Sequence, residues 1–176
     1  AEDALNIIES KFKIQNSFFR NCKSDAYDSD FSDGEIINST FNNIQGDAVD
    51  FSGSNVIIRS LLADGVLDKS ISVGESSNVS VFDSIILNSK IGIASKDGSY
   101  TYAKNITFKN NVLFDIMTFI KKPFYGSPTL KLDVNKSEDL KKIRQNGSSL
   151  FINNQEIESS DFDISQIYLW LIIDMS

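Results

Sequence analysis

Aspartate returns in this chain at a fixed distance. Residues 46–51 read GDAVDF, residues 24–29 read SDAYDS, and residues 2–7 read EDALNI, with Asn6 where the later copies carry a second acid. Carboxylates repeating in this way, in a chain that has no histidine, fit three chemistries. Stacked one strand apart, about 4.8 Å, Asp28 and Asp50 stand near the separation used by retaining glycosidases, and like-charge proximity supplies the raised pKa that such a pair needs. Joined by Asp25 and Asp47, they could hold Ca²⁺, a hard ion that takes about six to eight oxygens. The third possibility is structural: aspartate at turns and strand ends accepts backbone N–H groups and keeps an exposed sheet soluble.

Other residue types narrow the choice. The charge is −7, from 24 acids against 17 basic residues, a balance that repels phosphate backbones and disfavours a nucleic-acid partner. Cys22 is the sole cysteine, so no internal disulfide forms, and a nucleophilic role has no histidine to serve it. Arg20, Arg59 and Arg144 lie away from the acidic columns, while Lys69 stands in register with Asp25 and Asp47. The opening AEDALNIIES has neither a basic nor a long apolar stretch, unlike a signal peptide. The longest apolar run, IYLWLII (167–173), is far short of the roughly twenty residues that span a bilayer.

The spacing of the aspartates belongs to a repeat that covers most of the chain. NSFFRN (16–21) returns as NSTFNN (38–43), RSLLAD (59–64), DSIILN (83–88) and NITFKN (105–110). Its apolar residue is Phe19, Phe41, Leu62, Ile86 and Phe108, and two places on stand Asn21, Asn43, Asp64, Asn88 and Asn110. A second apolar column runs Leu5, Tyr27, Val49, Ile71, Ile93, Ile116. Short alternating segments such as FKI, VII and VSV separated by Gly, Ser, Asn and Asp signal strands and turns. A unit of about 22 residues cannot bury its own apolar face, whereas stacked units can. The leucine frame of leucine-rich repeats is missing. The spacing therefore predicts an all-β chain, a right-handed parallel β-helix (solenoid) of about six 22-residue coils, on the order of 30 Å long. Stacked amides form an Asn ladder along it, with Asp64 as an acceptor.

In this reading the columns Leu5/Tyr27/Val49/Ile71 and Phe19/Phe41/Leu62 point inward. Strand alternation then sends Ala4, Ala26, Ala48, Ser70 and Gly92 outward, with Asn6, Asp28, Asp50, Ser72 and Ala94 two residues along. Small residues beside acids make a shallow acidic groove. The β-helix spans 1–135 and a small C-terminal cap spans 136–176: a short helix over 137–147, a hairpin around Asn153-Asn154, and an apolar tail whose Tyr168, Trp170 and Leu171 cover the last coil or make a membrane or oligomer contact. The first coil begins at Asp3 with no cap before it, which implies that further coils or another domain precede Ala1, since an open coil exposes strand edges.

The stretch DKSISVGESSNVSVFDSIILNSKIGIASKDGS (68–99), following GDAVDFSGSNVIIRS (46–60), resembles the right-handed parallel β-helix repeats of the pectin-lyase-like superfamily. More narrowly it is similar to β-helix segments of bacterial proteins that also carry a spore-coat-H-type (CotH) kinase-like domain, and KKPFYGSPTL (121–130) fits the same kind of segment. No kinase motif lies in this chain. The resemblance implies a secreted or cell-surface setting and polysaccharide as the ligand class. Within that superfamily stand both polysaccharide-cleaving enzymes and non-catalytic rods, so the fold alone does not assign an activity.

The function expected first is a non-catalytic module, a scaffold or weak glycan-binding surface of a bacterial secreted or surface protein. The second is a polysaccharide lyase, hydrolase or epimerase using Asp28, Asp50, Asp47 and Lys69, where the likeness to pectate lyases would make Lys69 the cationic candidate for a base; the cofactor expected is none, or Ca²⁺ held by Asp25, Asp28, Asp47 and Asp50. The third is an assembly element that stacks through its open N-terminal coil. A catalytic β-helix needs long loops to wall a groove, and coils of 21–24 residues leave little spare chain.

Overall fold

The computed structural model describes residues 3–167, and these form strands β1 to β20 in three sheets. Sheet A contains β1 (Asn6–Ile8), β4 (Tyr27–Asp30), β7 (Val49–Ser52), β10 (Lys69–Gly74), β13 (Ile91–Lys96), β16 (Phe114–Phe119) and β18 (Lys142–Arg144). Sheet B contains β2 (Lys11–Gln15), β5 (Asp33–Ile37), β8 (Asn55–Arg59), β11 (Asn78–Phe82), β14 (Tyr100–Lys104), β17 (Thr129–Asp133), β19 (Ser149–Ile152) and β20 (Gln155–Glu156). Sheet C contains β3 (Phe18–Cys22), β6 (Thr40–Ile44), β9 (Leu62–Val66), β12 (Ile85–Leu87) and β15 (Thr107–Lys109).

Through β15 the chain visits A, B and C in turn, and from β16 to β19 it alternates between A and B; strands one coil apart pair in parallel, and β20 turns back antiparallel on β19. The result is a parallel β-helix. Seven strands in sheet A mark seven turns, one more than the repeat predicts. The extra turn comes from the segment expected to begin the cap. Residues 137–147 are not a helix: Lys142–Arg144 extend as β18 and pair with Ile116, Met117 and Thr118. The open edge of sheet A offers backbone partners that a short isolated helix, marginal on its own, does not have. The hairpin around Asn153-Asn154 forms as expected, with both residues at positive φ (49° and 63°), the geometry of a tight type I′ turn.

Alternation explains the core. In β11, Val79 and Val81 point in while Asn78, Ser80 and Phe82 point out. Tyr27, Val49, Ile71, Ile93 and Ile116 are all fully buried, as the second apolar column requires. The first column needs one change. Phe41 pairs with Ala63, not Leu62, and Ala63 pairs with Ile86. Ser60 takes the left-handed turn position (φ 54°) and Leu61 fills the inward site after it, so Leu62 faces out. Ala26, Ala48 and Ser70 also differ from expectation: they are wholly buried. The chain bends at this corner, so two successive residues point inward, and a Cβ on Gly92 would meet the Phe108 ring at 2.9 Å.

Ladders hold the corners. The expected one follows the left-handed residues Asn21, Asn43, Gly65, Asn88 and Asn110. It runs in two pieces, Asn43 Nδ2 donating to Asn21 Oδ1 (2.7 Å) and Asn88 Nδ2 to Asp64 Oδ1 (2.7 Å). Gly65 breaks it, having no amide to offer. A second ladder stands one corner earlier, where Asn38 Nδ2 donates to Asn16 Oδ1 (2.7 Å) and Asn105 Nδ2 to Asp83 Oδ1 (2.6 Å). A third, of serines, runs inside: the N–H groups of Ser10, Ser32 and Ser54 donate to the hydroxyls of Ser32, Ser54 and Ser77.

Candidate functional site: the acidic edge of sheet A

The aspartate stripe forms at the start and outer face of sheet A. Asp28 and Asp50 are paired neighbours on β4 and β7, and the column continues Asn6, Asp28, Asp50, Ser72, Ala94, Met117, Ile143. It is acidic for two coils only. Its other end is apolar and covered: Phe162, Ile164 and Ile167 pack with Ile91, Ala94, Met117 and Phe119. The C-terminal segment thus lies along sheet A and limits the acidic groove to its first half. Tyr168, Trp170 and Leu171 lie outside the described residues.

Asp25, Asp47 and Lys69 occupy successive places one coil apart, the two aspartates just before β4 and β7 and Lys69 opening β10. Asp25 Oδ1 accepts the Asp47 N–H (2.6 Å) and Asp47 Oδ1 accepts the Lys69 N–H (2.8 Å). Each carboxylate therefore closes the corner of the next coil. Lys69 then turns its amine back into the stack, with Nζ 3.0 Å from Asp47 Oδ1 and 2.7 Å from Asp68 Oδ2. Lys69 and Asp47 are 3% and 5% exposed. A base working on an external polymer needs to reach it, and Lys69 is sealed in an ion cluster. Burial pushes the Asp47 carboxyl up, and Lys69 opposes that shift.

Two partners in this site have no signal in the repeat. Asp68 lies beside Lys69 in sequence but outside the aspartate columns. Lys96, at the end of β13, reaches across two coils to place Nζ 3.6 Å from Asp50 Oδ1. Its aliphatic arm lies over Gly74, where a Cβ would stand 2.6 Å from Lys96 Cε. A periodicity search aligns equivalent positions, and this contact joins inequivalent ones.

The structure brings Asp25, Asp47 and Asp50 together, one carboxylate oxygen of each lying within 4.8 Å of the others; Asp28 stands outside that trio. Three oxygens are half of what Ca²⁺ wants. Asp47 Oδ1 already takes two donors, one of them the Lys69 amine, and Asp50 has Lys96 as its counter-ion, so two of the three carboxylates already face a lysine.

Asp28 differs. Asn6 Nδ2 donates to its Oδ2 (3.0 Å), and partial burial followed by the charges of Asp30 and Asp50 pushes its pKa up to about 7, from an ordinary 3.8. Burial likewise raises Asp25 and Asp30. Carboxyls raised in the fold bind more protons folded than unfolded between about pH 4 and 7, so stability falls as pH rises through that window. Melting at pH 5 is expected above melting at pH 8, and Asp28→Asn is expected to reduce the difference. Equal melting temperatures at the two pH values would show the stripe is not strained by its own charge.

No family model, curated protein or solved structure matches this chain. The fold and the geometry of the acidic edge therefore carry the functional reading. Among the described residues no helix is long and apolar enough to cross a membrane.

Proposed function

We propose that this chain is a non-catalytic β-helix module, a scaffold of a bacterial secreted or surface protein. The observation that carries this reading is the employment of the repeated acids. Asp25 and Asp47 close the corners of successive coils, and Asp47 and Asp50 neutralise Lys69 and Lys96. Groups so engaged hold a rod together, and their recurrence follows from the winding of the chain.

The connections support the same reading. The excursion between β16 and β17 is tied back onto the rod. Asp97 Oδ1 accepts the N–H groups of Lys121 and Lys122 (2.7 and 2.6 Å). Glu75 pairs with Lys122 and accepts the Tyr125 hydroxyl (3.1 Å). A segment held this way braces the corner instead of walling a cleft.

The test is a thermal melt of the wild type and of Asp28→Asn/Asp50→Asn, each with and without millimolar calcium. The scaffold reading expects calcium to leave both melts unchanged. A calcium-dependent rise in the wild type that disappears in the double variant would make the stripe a metal site and move the reading to calcium-dependent polysaccharide chemistry.

A further inference from the structure

One turn fastens the C-terminal segment to the last coil. Residues 145–148 reverse the chain after β18, with the Ser148 N–H donating to Gln145 O (3.1 Å) and Gly147 at positive φ (85°). On one side of the turn the Asn146 N–H donates to Ser160 O (3.1 Å) and the Ser160 N–H to Arg144 O (2.8 Å), which pairs Gln145 with Ser160 in parallel. Gln145 Nε2 donates to Phe162 O (3.0 Å), while its Oε1 accepts the Ile120 N–H (2.7 Å). On the other side Ser148 O accepts Arg144 Nε (2.7 Å), and the Ser148 hydroxyl meets Thr118 Oγ1 (2.8 Å). Beyond this clasp lie Phe162, Ile164 and Ile167, the residues that cover the apolar half of sheet A.

The apex of the clasp is Asn146-Gly147, the one Asn-Gly pair in the chain. Both residues are exposed, and among the described residues neither the Asn146 amide nor the Gly147 N–H has a hydrogen-bond partner. The ladder asparagines stand differently. Asn38, Asn43 and Asn105 donate through their amides, and each is followed by a residue with a side chain. Glycine has no Cβ to crowd its nitrogen, so the nitrogen of Gly147 can approach the side-chain carbonyl carbon of the residue before it.

We propose that Asn146 is a site of spontaneous covalent modification, and that its conversion to isoaspartate unfastens the C-terminal segment from sheet A. The Gly147 nitrogen gives its proton to water and attacks Asn146 Cγ. The new C–N bond closes a succinimide ring, and Nδ2 leaves with the proton as ammonia. Water then adds to one of the two ring carbonyls and opens the ring. Opening on one side gives aspartate; opening on the other gives isoaspartate, whose main chain runs through the former side chain. Nothing is oxidised or reduced, and the net change is one NH exchanged for one oxygen. The isoaspartyl main chain is longer by one methylene between the Asn146 N–H and the Ser148 N–H, the groups that hold Ser160 and Gln145. The two bonds then lose their common register, and a new carboxylate stands at the turn. Without its anchor the cover lifts from Ile91, Ala94, Met117 and Phe119, and apolar surface opens to solvent.

The folded chain and the free peptide RQNGSSL are aged side by side at pH 8 until the peptide has converted. The chain is expected to gain the mass of oxygen in place of NH and to accept a methyl group from an isoaspartyl methyltransferase, with both changes mapping to Asn146. Chymotrypsin is expected to cut after Phe162 about tenfold faster in the aged chain than in the fresh one, the worth of a lost backbone hydrogen bond. Asn146→Gln keeps the backbone of the turn and is expected to hold its mass and its resistance through ageing. Fresh Asn146→Asp carries the charge without the added methylene and is expected to be cut as the fresh wild type is. The proposal is overturned by an unchanged mass once the peptide has converted, by modification at another asparagine, by conversion without faster cutting, or by fast cutting of fresh Asn146→Asp. Each of these leaves the scaffold reading standing, because that reading is tested at Asp28 and Asp50.

Discussion

Lys69→Met is expected to lower the unfolding free energy by about 3–5 kcal/mol at pH 8, the cost of leaving buried carboxylate charge without its partner. The side chain of Lys69 is 4% exposed, and its amine is shared by Asp47 and Asp68. Methionine preserves the length and the aliphatic contacts of the arm, so the loss isolates charge from packing. Asp47 keeps the Lys69 N–H as a donor in the variant, which preserves the corner. The deficit has a pH sign. Without the amine, the Asp47 carboxyl rises further, because the cation that opposed its desolvation is gone, and it takes a proton more readily in the fold than in the unfolded chain. The loss should therefore shrink as pH falls from 8 to 5. Asp47→Asn/Lys69→Met removes the more deeply buried of the two stranded carboxylates, Asp68 being partly exposed, and should recover much of the stability at pH 8. Denaturant unfolding of the three proteins at the two pH values decides the matter; a single-variant loss below about 1 kcal/mol at pH 8 would class the cluster with surface ion pairs.

Phe41→Ala is expected to cost about 3–5 kcal/mol, and here the expense is a cavity. Phe41 is fully buried and stacks on Phe19, with centroids 4.9 Å apart and planes 1° from parallel. Its neighbour on the other side in the column is Ala63, which is too small to fill the vacated space. In a solenoid each coil contacts mainly the coils beside it, so the void is met by few residues able to move into it. Phe19→Ala removes the same ring from a partly buried site and should cost less than half as much. Paired unfolding curves test this ordering. Equal losses at the two positions would mean that the coil around Phe41 collapses to fill the space.

Most of the architecture was legible because winding leaves a mark on spacing. Phe19/Phe41, Tyr27/Val49/Ile71 and Asn21/Asn43 each repeat at the length of one coil, and the structure pairs them as that length requires. What slipped did so by small steps. Leu62 and Ala63 are adjacent apolar residues, and choosing between them depends on which residue takes the left-handed turn. Here that residue is Ser60, a type that does not announce positive φ as asparagine and glycine do. The stretch 137–147 has the acids, cap and glycine of a helix, yet its Ile143 and Arg144 pair with Met117 and Thr118. A free sheet edge outweighs the weak preferences of a short segment.

The acidic edge divides in the same way. Sequence by itself determined that Asp28 and Asp50 stack, and that Asp25, Asp47 and Lys69 share one column, because residues one coil apart must meet. It also determined the cross-β spacing and one asparagine ladder, for the same reason, while the ladder one corner earlier and the inner serine ladder came from the structure. Only the tertiary structure decided what the acids face. Lys96 reaches Asp50 by crossing two coils over Gly74, Asp68 joins Lys69 from outside the columns, and Phe162, Ile164 and Ile167 cover the outer face beyond them. Those contacts join positions with no common period. The fold brings them together through the corner bend, the reach of a long side chain and the return of the C-terminal segment, none of which a repeat encodes.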